Sequence, residues 1–199
     1  MKTASVILRV SLVLAAAFLL LSCNALENKT ESASLLIVEN LMGTNLDGDE
    51  VNYLQSDVLI QDSETGAESI KADAAVATFQ VTLLDPNPGA ASSIYSDVQL
   101  NRYVVTFSQP NGNNIEGRDV PYSFEGSMSS LIRVGTSADV AFIIVREVAK
   151  LEPPLASLRD GMDVLQVTAK VTFYGKDMAG KSVKASGTLT IFFANYANE

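Results

Sequence analysis

The two apolar segments nearest the C-terminus alternate most strictly. Leu165, Val167, Ala169, Val171 and Phe173 are separated by Gln166, Thr168, Lys170 and Thr172. Val183, Ala185, Gly187, Leu189, Ile191 and Phe193 are spaced by Lys184, Ser186, Thr188 and Thr190 in the same way. A period of two predicts two strands, each with one buried and one wet face. Setting Phe173 opposite Val183 brings every inward residue against an inward partner and places Ala169 against Gly187, so a hairpin in that register is expected.

Upstream, six further runs are rich in β-branched and aromatic residues: "SASLLIVENLM", "VNYLQSDVLI", "AAVATFQVTLL", "DVQLNRYVVTFSQ", "YSFEGSMSSLIRV" and "ADVAFIIVREVAK". Turn chemistry separates them at Asp47-Gly48, at Asp85-Pro86-Asn87-Pro88-Gly89 and in "PNGNNIEGRDVP". Short strands with such punctuation predict an all-β antiparallel sandwich. One helical turn is expected between the sixth run and the C-terminal hairpin, over Glu152–Arg159. Pro153 and Pro154 suit a first turn, and Leu155 and Leu158 share a face.

The stretch Gly175–Ser182, "GKDMAGKS", matches G-x-x-x-x-G-K-[ST], the phosphate-binding loop. Such a loop needs a helix after it, whose N-terminal amides hold the phosphates. The residues that follow Ser182 alternate as a strand, so the octet is expected to connect the hairpin, with Gly175 and Gly180 as turn residues and Asp177 and the lysines as a solvated tip. No nucleotide is expected.

The first 23 residues, "MKTASVILRVSLVLAAAFLLLSC", differ from everything after them. Lys2 and Arg9 precede an apolar run from Val10 to Leu21 that is short of the about 20 residues a spanning helix needs. It closes on Leu20-Leu21-Ser22-Cys23, which resembles the lipobox of bacterial lipoproteins. The resemblance implies a signal peptide over 1–22, removal before Cys23, and attachment of diacylglycerol and palmitate-like acyl chains to Cys23. It also implies a membrane partner held through that lipid. Asn24, in the position that sorts such proteins, leans towards the outer membrane and so to the cell envelope. Residues 23–32 would be a lipidated linker and 33–199 a single domain. The final hairpin in turn resembles that of bacterial immunoglobulin-like and fibronectin-type modules, which implies an immunoglobulin-like sandwich without that family's cysteine pair or tryptophan.

Composition narrows the chemistry. The 199 residues include 14 basic and 23 acidic side chains, no histidine, no tryptophan and one cysteine. Loss of residues 1–22 removes Lys2 and Arg9 and no acid, leaving 12 basic against 23 acidic residues and a formal charge of −11. That acidity argues against nucleic acid as a partner. Absent histidine removes Ser-His-Asp and Cys-His catalysis and histidine-ligated metals. The expected role is therefore binding or structural rather than enzymatic, without a cofactor, and with an envelope protein or a glycan as partner. A carbohydrate-binding or carboxylate-dependent hydrolytic protein is the alternative.

Two sets of candidate residues remain. Asn45, Asp47, Asp49 and Glu50 place four oxygen donors in six residues, with Asp62 and Glu64 as further calcium-type ligands. A solvated turn explains them more simply, so no metal is expected. Asp160 and Asp163 flank Gly161 as a hinge or cap. Loops 85–96 and 108–121, with Tyr95, Tyr122 and Phe124, are the expected recognition surface.

Overall fold

A computed structural model of the chain describes residues 32–62, 64–85 and 93–196. The proposed signal peptide, Cys23 and most of the linker lie outside the described residues. Eleven strands follow in order: β1 (Ser34–Thr44), β2 (Glu50–Val51), β3 (Tyr53–Asp57), β4 (Ile60–Gln61), β5 (Glu68–Ser69), β6 (Asp73–Leu83), β7 (Val98–Ser108), β8 (Phe124–Ile132), β9 (Ser137–Val145), β10 (Leu165–Asp177) and β11 (Ser182–Ala194). They form a four-stranded sheet β2-β1-β6-β9, a five-stranded sheet β3-β11-β10-β7-β8 and a small β4-β5 hairpin. The fold is an all-β sandwich with immunoglobulin-like strand order. Its named strand pairs are antiparallel apart from β3, which runs parallel to β11.

Alternation builds the core. Ala75, Ala77, Phe79 and Val81 point inward from β6, and Val167, Ala169, Val171 and Phe173 from β10. In β7 the inward residues are Val98 and Leu100, then Tyr103, Val105 and Phe107. This change of parity falls where the pairing with β8 slips between Leu100 and Arg102. A one-residue bulge restores the apolar face to the core. The two layers meet at a ring cluster, with Phe173 edge-on to Phe79 at 4.7 Å and to Phe142 at 5.2 Å, and Tyr103 against Phe142 at 5.0 Å.

Three expectations are corrected. The run 51–60 is not one strand, because it crosses from β2 in one sheet to β3 in the other. Gly43 permits that crossing: a Cβ there would stand 2.4 Å from the Tyr53 carbonyl oxygen. The sixth run ends as a strand at Val145, and Glu147–Leu151 forms a helix, α1, ahead of the expected turn, a 3-10 turn at Leu155–Leu158. The C-terminal hairpin pairs Phe173 with Ala185 and Gly175 with Val183, two residues from the expected register. A slip of two preserves which side chains face inward, so both registers satisfy the hydrophobic pattern. Hydrogen bonds at the tip select between them: the Asp177 N–H donates to the Lys181 carbonyl, and the Gly180 N–H to that of Asp177.

Candidate functional site

Strand directions divide the molecule into two ends. At one lie Ser32, Ser34, the residues before β7, the β8–β9 turn and the β10–β11 tip. The chain is clamped as it enters this end. Ser32 Oγ donates to Asp177 Oδ2 at 2.6 Å, the Ser34 N–H donates to Ser32 Oγ, and Ser34 Oγ donates to the Ser96 carbonyl. Asp177 also accepts the Lys181 N–H and is 6% exposed, so it is a buried clamp rather than the solvated tip expected. The phosphate-loop octet is thereby accounted for: Gly175 to Asp177 are strand residues, Met178 to Lys181 make the turn, and a strand follows.

At the opposite end gather the 45–50 turn, the β4–β5 hairpin, the 108–123 loop, α1 and the segment to Leu165. Beneath them is a buried polar cluster. Lys150, on α1 and 1% exposed, donates from Nζ to the Asp57 carbonyl at 2.7 Å and forms a salt bridge to Asp73 Oδ2 at 2.9 Å. Ser56 Oγ donates to the same carboxylate at 2.6 Å. Asp57 Oδ1 accepts the N–H groups of Leu59 and Tyr196. Arg159 donates to the Lys150 carbonyl and receives Asn195 on its own. The cluster thus ties α1, the ends of β3 and β11, and the start of β6. Burial raises the pKa of Asp73, opposed by Lys150 and Ser56, and burial raises that of Asp57 against its two backbone donors and Lys150. Buried charge survives here because each member has a partner.

Over this cluster lies an open groove of about 600 Å³. Leu59, Met162, Val164 and Tyr196 supply apolar surface, while Glu68, Asp160 and Arg159 supply charge. Met162 is fully exposed and Val164 is 58% exposed. Arg159 Nε is buried without a hydrogen-bond partner among the described residues. The combination suits recognition of a ligand with both polar and apolar parts.

The residues singled out in the sequence fall as follows. Asn45 and Asp49 close their own turn: the Asp49 N–H donates to Asn45 Oδ1 and Asn45 Nδ2 to Asp49 Oδ2. Asp62 is occupied likewise by the Glu64 and Thr65 N–H groups and the Thr65 hydroxyl, which lower its pKa. Among the described residues, no three His, Cys, Asp or Glu side chains converge to hold a metal, and Asp47, Asp49 and Glu50 form no such group. Asp160 lines the groove. Tyr95, 64% exposed, and Tyr122, 47% exposed, lie at opposite ends, so the two loops do not make one recognition surface as expected, and Phe124 is core. Residues 86–92 lie outside the described residues. Lys150, Asp57 and Asp73 were not singled out. The available signal was the run Glu147-Val148-Ala149-Lys150-Leu151, helix-forming residues just after the alternation stops.

No protein-family model, no curated protein and no solved structure matches the chain.

Proposed function

We propose that the chain is a bacterial cell-envelope lipoprotein, anchored in the outer membrane through Cys23, whose sandwich binds a partner and does no chemistry. The role fits surface or envelope assembly or adhesion. The observation that carries it is the polarity of the domain. The chain enters at the clamped Ser32–Ser34 end, and the groove with its surrounding loops lies at the other. A tether at Cys23 would join the domain at its clamped end, the end opposite the groove. A non-catalytic role is supported by Lys150 being engaged by a carbonyl and a carboxylate, and by the lack of any histidine base. Metabolic labelling with an alkynyl fatty acid tests the anchor: the wild-type chain takes up label and Cys23→Ala does not. Protease shaving of intact and lysed cells then assigns the face, periplasmic or external.

The hydrolytic alternative has one observation in its favour, since Glu68 and Asp160 both line the groove. Screening against glycan substrates decides it: turnover abolished by Glu68→Gln or Asp160→Asn replaces the binding reading.

A further inference from the structure

The two outer faces of the sandwich differ in charge. Outward positions of the five-stranded sheet carry Arg102, Lys170, Lys176 and Lys184 against Glu125 and, at the end of β3, the half-buried Asp57. The outer face of β1, β6 and β9 carries Glu39 and Asp139, with no cation among the described residues. In a chain with 23 acidic and 14 basic residues, a basic face runs against the overall balance. Arg102 is held by Glu125 at 2.8 Å and lies over the Tyr174 ring at 4.1 Å. Lys170, Lys176 and Lys184 are exposed and make no salt bridge among the described residues.

Two ordinary explanations do not account for these lysines. Lysine often guards edge strands, but β10, with Lys170 and Lys176, is the centre of its sheet. Charge for solubility is already supplied by the acids, and adding like charges side by side works against the fold. Ser182 pairs with Lys176, so Lys184 is the diagonal neighbour of Lys176 at about 7–8 Å.

The surroundings indicate the chemistry of a partner. Thr106 and Thr188 flank Lys170 in register, and Thr172 stands against Ser186, their hydroxyls 3.0 Å apart. Along the strands the row of Lys170 lies about 13 Å from that of Lys184 and about 20 Å from that of Lys176. At the far end Tyr53 and Phe192 present half-buried rings, edge to face at 6.0 Å. Lysine and serine are depleted in protein interfaces, which favour Met, Arg and large aromatics. The acidic outer face of a second copy is a poor match too, since it carries Met42, Val76 and Ile143 opposite what would be hydroxyls. Nor does the face offer an apolar stripe for insertion among lipids.

We infer that the outer face of the five-stranded sheet binds a polyanionic polysaccharide. The lysines pair with its acidic groups, the threonine and serine hydroxyls exchange hydrogen bonds with its own, and Tyr53 and Phe192 receive a sugar ring. This site is separate from the groove and does not depend on lipidation.

The test uses the full chain in phosphatidylcholine nanodiscs, titrated with polygalacturonate and with neutral dextran. Polygalacturonate is expected to bind, more weakly as salt rises, and dextran not to bind. Lys170→Gln, Lys176→Gln and Lys184→Gln together should weaken binding about tenfold or more. Lys71→Glu with Arg118→Gln changes the net charge equally but acts in connections outside the sheet, and should leave affinity within about twofold. Melting of both variants confirms the fold, since surface substitutions of this kind change stability by about 0.5 kcal/mol or less each. Absence of polygalacturonate binding overturns the inference, as does equal weakening by both variants. Co-flotation with phosphatidylglycerol vesicles in place of polysaccharide binding reassigns the face to lipid headgroups and also overturns it.

Discussion

At the scale of single residues, Lys150 has the most to lose. Truncation to alanine leaves the Asp73 carboxylate buried without its cation, and loss of a partner from a buried pair costs about 3–5 kcal/mol. Lys150→Met keeps the stem that packs beneath α1 and tests how much of that loss is charge. A larger destabilisation by urea unfolding for Asp73-intact Lys150→Met than for Lys150→Met with Asp73→Asn is the expected outcome. Asp57 supplies a second prediction. Its pKa is raised in the fold by burial, so the folded state favours the protonated form. That contribution is fully present below the ordinary carboxylate pKa near 3.8 and is lost as pH rises through the folded value. Asp57→Asn removes this dependence while Oδ1 can still accept from Leu59 and Tyr196. The Tm of Asp57→Asn should therefore gain on that of the wild type as pH is raised from about 4 to 6. A gap that is constant, or moves the other way, refutes the raised pKa.

At the scale of elements, the C-terminal hairpin shows what was legible in the sequence and what was not. The inward sets of β10 and β11 were readable because alternation determines faces. The register was not, because shifts of two residues leave faces unchanged and only the tip hydrogen bonds choose among them. The crossing from β2 to β3 was hidden for a related reason. Both short strands are apolar enough to read as one, and only the close approach at Gly43 reveals the change of sheet. The two glycines of the phosphate-loop octet give a direct comparison. A Cβ on Gly175 would stand 2.5 Å from the Gln99 carbonyl oxygen, whereas Gly180, with φ of 85°, has no atom within 4 Å of its Cβ position. Gly180→Ala should cost about 1 kcal/mol from backbone conformation alone. Gly175→Ala must push β7 away from β10 and should cost clearly more, about 2 kcal/mol or above, by chemical denaturation. Equal costs for the two would place Gly175 in the turn instead of the strand.

At the scale of the whole molecule, the sandwich was legible but the site was not. Its groove and polar cluster are assembled from Asp57, Glu68, Asp73, Lys150 and Arg159, which share no local motif and meet only because two connections, β3 to β6 and β9 to β10, converge on one end. The same topology sends Tyr95, just before β7, and the loop 108–121 to opposite ends. That polarity makes a prediction for the anchored protein. The chain holds one cysteine, Cys23, so under the proposed lipidation of that sulfur an added cysteine is the only free thiol. Met162 is fully exposed beside the groove, and Met178 is 53% exposed at the hairpin tip, on the clamped end. Met162→Cys and Met178→Cys proteins in membrane vesicles, treated with a maleimide carrying a bulky polyethylene glycol, report how near each end lies to the bilayer. Each rate is divided by the rate for the same protein in detergent, which removes the difference in intrinsic exposure. The thiol at 162 should keep its detergent rate, while that at 178 should slow several-fold under the steric shadow of the membrane. Equal ratios would mean that the domain does not stand on its clamp, and the groove would lose its claim to be the outward-facing surface.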